Sequence, residues 1–287
     1  MKKKKLFSAM RLALCTILAL LFLFPTVLTF CTSFMSSREV EYTYGDAVDS
    51  GQYITEPVQI KLIPDVVSGE QYSKVLLQSP DYLQKFWNSV LLVVPITLFQ
   101  LAVAALAAYG FARYRGKLRA MIFFCYIILL LMPYQVTLVP NYFFAKWTGL
   151  LNTRWAVILP GIFSPFSVYL LTKQMRRIPK SYFEAARLDG AGEWRIFSGI
   201  CLPLCKSSLV GVGLLVFFDY WGMVEQPLIL LENEALHPLS VFLNKITTGE
   251  VGVAFAAATV YLVPCLLLFL YGEKDLCESS AVSDKDG

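Results

Sequence analysis

Apolar positions along this chain collect into long uncharged runs separated by shorter polar segments. The runs cover residues 12–30, 90–112, 120–145, 155–172 and 251–272, and a sixth, 207–224, is interrupted only by Asp219. A bilayer core of roughly 30 Å is crossed by about 20 apolar residues in a helix that rises ~1.5 Å per residue. The pattern therefore predicts an all-α membrane protein with six transmembrane helices. It divides the chain into an N-terminus and first span (1–30), a polar segment (31–85), five further spans (86–272) and a tail (273–287). Gly45, Gly51, Pro57, Pro64, Gly69 and Pro80 punctuate residues 31–85. That segment reads either as a small extracytoplasmic cap with extended pieces or as a loose loop.

Charge orients the spans. Lys2 to Lys5 with Arg11 form one basic cluster. Arg113, Arg115, Lys117 and Arg119 form a second, and Lys173, Arg176, Arg177 and Lys180 a third. Cytoplasmic loops are enriched in Lys and Arg, so all three belong inside. Between the last two spans Glu225, Glu232, Glu234 and Glu250 face only Lys245, which suits the outer side. Six crossings with both termini cytoplasmic satisfy every cluster. The first run lacks a small-x-small cleavage site and reads as an uncleaved span.

Composition narrows the picture further. A chain of 287 residues that is 56% hydrophobic carries more apolar surface than a soluble domain of that size hides. The net charge of +4 does not suggest nucleic acid, because the basic residues cluster beside the spans, where membrane topology accounts for them. Cys201 and Cys205 are four apart, outside the usual metal spacing, and the cysteines read as small buried residues. No metal-site signature and no G-x4-G-K-[ST] phosphate loop occurs, so the chain has no nucleotide cradle of that type. His237 reads as an ordinary surface residue. Prolines 95, 133, 160, 165 and 264 lie in spans and invite kinks, which a moving pathway tolerates.

One charged stretch stands between the fourth and fifth spans. Ser181-Tyr182-Phe183-Glu184 has the spacing of a capping box. Ala185, Ala186, Arg187 and Leu188 favour helix, and Gly190 supplies a left-handed stop. Pro179 discourages helix upstream. This predicts a two-turn helix, then a second helix from about Glu193 towards Pro203. So short a helix is marginal alone. It makes sense laid into a partner's groove by Tyr182, Phe183 and Leu188, or lying on lipid.

The spacing E-A-A-x3-G-x9-I-x-L-P, from Glu184, Ala185 and Ala186 through Gly190 to Ile200, Leu202 and Pro203, resembles the signature loop of ABC importer membrane subunits. From Phe86 to Gly272 the chain is similar to the carbohydrate-uptake permeases of that family, the group that includes the second maltose-permease subunit. Trp87-Asn88-Ser89, the run from Ala108 to Arg113, Asp189-Gly190-Ala191 and Pro227 to Leu230 carry further likeness. Trp221-Gly222 departs from a frequent Trp-Asn. The resemblance implies a type I ABC importer transmembrane-domain fold in a bacterial cell membrane, and a transport subunit rather than an enzyme. It implies a homologous permease partner and an extracytoplasmic solute-binding protein. It also implies two ATPase subunits that carry ATP and Mg and dock on the loop 173–206, at Glu184, Ala185, Ala186, Asp189 and Gly190, with Ser181 in support.

For the pathway, Asp219 is the one carboxylate inside a span, facing a cavity or reaching water at the span's end. Asn88, Gln100 and Gln135 are polar groups suited to sugar hydroxyls or to bonding between helices. Two other classes remain open. An ion-gradient transporter would show repeats and several buried charges, and a plain anchor would show no such loop.

Overall fold

The computed structural model describes residues 2–49, 61–78, 80–114, 116–244 and 251–283. Among these every regular element is helical. Gly51, Pro57, Arg115, Lys245 and Glu250, used above, lie outside the described residues. The chain forms two compact units. One comprises residues 1–84 and 242–263, the other 85–241 and 264–287.

In the first unit, α1 (Lys2–Thr32) contains the first run, and its apolar side chains are exposed, as suits lipid. Residues 31–85 are mostly helical where described, rather than extended. The described helices of this segment are α2 (Ser37–Asp49) and α3 (Glu70–Ser73, continued by a π turn over Lys74–Gln78), between the ends of the flanking long helices. The reason is a helical pair in the sequence. Val40 and Tyr44 stand one turn apart and bury with Met35 against Val251 and Phe255. Turn residues drew attention away from that pair.

The segment is tied down by polar contacts. Ser37 Oγ donates to Glu70 (2.9 Å) and accepts from Gln71 (3.0 Å) and Lys74 (2.8 Å). Lys61 joins Glu39 (2.8 Å) to Asp65. The last long helix, α15 (Val251–Ser283), starts against this latch. A Cβ on Gly252 would clash with the Gln71 side-chain amide.

The second unit is built on α4 (Pro80–Arg113). Its run of small residues at Ala104, Ala105 and Ala108 is buried against Val168, Leu171 and Met175 of α8 (Pro165–Met175) and Val212 and Val216 of α12 (Lys206–Trp221). Small side chains let helix backbones approach where lipid supplies no hydrophobic drive.

Among the described residues four helices are long and apolar enough to cross a membrane, and six if each of two bent pairs counts as one span. The third span, where Pro133 invites a kink, is broken outright. α5 (Lys117–Leu130) and α6 (Tyr134–Trp147) meet at 103°. Pro133, with φ −61° and ψ 141°, caps α6 rather than kinking a continuous helix, because the residue before a proline is pushed out of the helical region. Pro165 likewise starts α8, where Ser164 caps the first turn, following α7 (Arg154–Gly161). The fifth span is also bent, by 76°, between the segment Glu193–Leu204 and α12.

Candidate functional site

The charged stretch folds as α9 (Lys180–Leu188), a turn at Gly190, then α10 (Glu193–Ile196). α10 continues through a π turn (Phe197–Cys201) into α11 (Leu202–Leu204). Helix from Glu193 to Leu204 matches the expectation; the π turn in it does not. The capping box is absent. Pro179, with φ −57° and ψ 139°, already occupies the N-cap, so Lys180 opens the helix and no side chain caps it. Ser181 falls inside the first turn, two positions past the N-cap.

The end of α9 is fully specified. Gly190 has φ +79°. Its N–H donates to Arg187 O (3.0 Å), and the Ala191 N–H donates to Ala186 O (2.9 Å). This is the Schellman arrangement, which closes the last carbonyls and needs a left-handed residue. A Cβ at Gly190 would meet nothing within 4 Å, so the glycine answers to backbone angle rather than to space.

α9 has two faces. Phe183 and Ala186 point into the core. Phe183 is 0% exposed, and the Arg113 guanidinium lies 3.4 Å from its ring centroid. The expectation that Phe183 faces a partner is therefore corrected: an aromatic ring under a cation and among apolar neighbours is the helix's anchor. Tyr182 (54% exposed), Ala185 and Leu188 (89%) recur every three residues on the open face, with Trp194 (69%) beyond the turn. Glu184, Asp189 and Ser181 are exposed beside them. Ile200 and Leu202 pack against the core that holds Phe183, while Pro203 is exposed.

A network that the sequence did not reveal crosses this loop. Glu193 Oε2 accepts from the Tyr109 hydroxyl at 2.7 Å. Its Oε1 accepts from Arg187 Nε at 3.1 Å and from Arg187 Nη2. Tyr109 and Arg113 stand one turn apart on α4, a spacing visible in the sequence, but their partners lie 70 or more positions away.

The polar candidates within spans are not brought together. Asp219 is exposed in the last turn of α12, and Gln135 is exposed in the first turn of α6. Asn88 is 2% exposed and committed to the chain. Its amide donates to Ala235 O (2.7 Å) and His237 O (3.2 Å), and its oxygen accepts from Arg154 (2.8 Å). Of the two roles expected for Asn88, a solute contact or a bond within the protein, the structure shows the second. Asn88→Ala should lower the thermal unfolding temperature of the purified protein, by the ~1–3 kcal/mol of orphaned buried partners. It should leave the half-saturating solute concentration of uptake unchanged. Gln100 is buried and donates to Ser167 at 2.7 Å.

His237 is also a correction. It is 6% exposed, and its Nε2 donates to Leu231 O at 2.8 Å. The ring folds back on its own segment, between α13 (Glu225–Leu230) and α14 (Leu239–Asn244).

Residues 100–273 match the family model described as binding-protein-dependent transport system inner membrane component. The chain belongs to that family. These inner-membrane components are transport subunits, and this member is a multi-pass membrane protein with the all-helical permease fold. It is similar to AraQ of Bacillus subtilis, an arabinooligosaccharides transport system permease protein, at 26% identity over 93% of each chain. It is 29% identical to the lactose transport system permease protein LacG of Rhizobium radiobacter, over 70% of this chain and 74% of that protein. Among solved structures, a chain of a bacterial ABC transporter involved in the import of the acidic polysaccharide alginate superposes with a TM-score of 0.78. That match has 21% identity and covers 96% of this chain and 98% of that one. A second structure of the alginate transporter, in complex with a periplasmic protein bound to an alginate pentasaccharide, gives 0.63 at 16% identity.

Proposed function

We propose that this inner-membrane component is one of two homologous permease subunits that enclose a pathway for a sugar or related solute. Two separate ATPase subunits bind and hydrolyse ATP with Mg, and they dock on α9. A soluble binding protein delivers the solute from outside a bacterial cell membrane, and both termini lie in the cytoplasm.

The observation that carries this reading is the build of α9. It is pinned from behind by Phe183, closed at Gly190 and apolar on its open face, although two turns of helix are marginal alone. A rigid short helix with an open apolar face is suited to a partner's groove. The adjoining basic residues Lys173, Arg176, Arg177 and Lys180 favour the cytoplasmic side. A sugar is supported by relatives named for lactose, arabinooligosaccharides and diacetylchitobiose.

Nucleotide binding closes the ATPases, moves the docked helices and turns the pathway outward. The ATPase pair must favour one permease state over the other for this to work. In proteoliposomes of the assembled transporter, uptake from a panel of lactose, arabinooligosaccharide and diacetylchitobiose should require ATP. Glu184→Lys, at an exposed position, should reduce uptake at unchanged membrane insertion. Uptake driven by an ion gradient without ATP would overturn the reading.

A further inference from the structure

We infer that Tyr109 and Glu193 are positioning residues that carry movement of α9 into the second and fifth spans. The inference rests on the reading of α9 as the ATPase-docking helix. α4 grips the loop on both sides of Gly190. Ahead of the turn, Arg113 covers the Phe183 ring; beyond it, Tyr109 bonds Glu193. Arg187, in the last turn of α9, holds the other oxygen of the same carboxylate. The Schellman bonds join these pieces into one body.

The path continues into the fifth span. Phe197 follows Glu193 by one helical turn and meets the Tyr109 ring edge-on at 5.1 Å. Phe197 opens the π turn that leads through Cys201 and Cys205, both buried in the same core, to α12. A π turn inside a helix marks a place where the helix is irregular and is often functional.

An exposed Arg–Glu pair by itself contributes little. Here the carboxylate also holds a buried phenol on another helix, so α9 cannot shift without drawing Tyr109 along or breaking a charge-assisted bond. A purely local staple would hold the loop's shape and nothing more.

The test uses the assembled transporter in proteoliposomes with Tyr109→Phe and Glu193→Gln. The solute is whichever member of the sugar panel the wild type takes up. The readouts are retention of ATPase subunits, ATP hydrolysis and uptake. ATPase retention and hydrolysis should persist in both variants. Uptake per ATP should fall about tenfold, the scale of one hydrogen bond to a charged group. The exchange Arg187→Glu with Glu193→Arg restores the local pair but not the carboxylate under Tyr109, so it should recover no more uptake per ATP than Glu193→Gln; full recovery would make the pair a local staple and overturn the relay.

Unchanged uptake per ATP in both variants would overturn the relay while leaving docking intact. Failure of the wild-type chain to retain ATPase subunits would instead sink the docking reading. If Tyr109→Phe does not assemble, Glu193→Gln decides: a fall in uptake per ATP with ATPase subunits retained supports the relay, and unchanged uptake per ATP overturns it.

Discussion

Gly190→Pro should abolish uptake while expression and membrane insertion stay normal. Proline holds φ near −65° and has no N–H, and the native residue needs φ +79° and donates to Arg187 O. The conflict costs about 3 kcal/mol or more, which a two-turn helix cannot absorb. α9 would then lose its end, and the Arg187 carbonyl its partner. No span is touched, so insertion should not change. A graded series separates backbone angle from bulk. Gly190→Asn should retain most uptake, because asparagine tolerates the left-handed region. Gly190→Ala should be intermediate, at a cost of about 1–2 kcal/mol. Uptake measured across Asn, Ala and Pro should fall in that order. Equal activity of all three would mean that the loop's geometry does not matter.

Phe183→Ala should be the most destabilising single change on α9. Truncating a buried aromatic costs about 3–5 kcal/mol, and the Arg113 guanidinium would lose its ring. Thermal unfolding in detergent should shift down, and uptake should drop with it. Leu188→Ala provides the contrast. Its side chain is almost wholly exposed, so stability should stay within ~0.5 kcal/mol. Uptake and ATPase retention should nevertheless fall. Two residues five positions apart on one short helix would thus fail for different reasons. If Phe183→Ala left stability intact, the inward placement of its ring would be wrong.

Much of this architecture could be read in advance from strong, local signals. Uncharged runs revealed the spans because lipid tolerates few charges within them. Pro179 and Gly190 bracketed α9 because each restricts or frees one backbone angle. The EAA-type spacing pointed to the family. The misreadings arose where the outcome depends on distant partners or on competition between two local rules. The run 120–145 is apolar throughout, so nothing in its hydropathy marks the break at Pro133. Ser181 looked like a cap, but Pro179 took that place first. Phe183 and Leu188 are equally apolar in sequence; only the core behind α4 decides which turns inward. His237 reads as an open surface group, and Asn88 suits either a solute or a neighbouring helix; backbone carbonyls across a short loop or far along the chain claim them. The Tyr109–Glu193 bond spans 84 positions, beyond any periodicity argument.

The account turns on α9 as a handle grasped from the cytoplasm by an ATPase. The most direct measurement is photo-cross-linking from a reactive residue placed at Leu188 in membranes that hold the whole transporter. The predicted result is capture of the ATPase subunit, strengthened or weakened by nucleotide, with no labelling of that position by an impermeant reagent added outside. Labelling from outside, or capture of no ATPase from a transporter that is active, would contradict it.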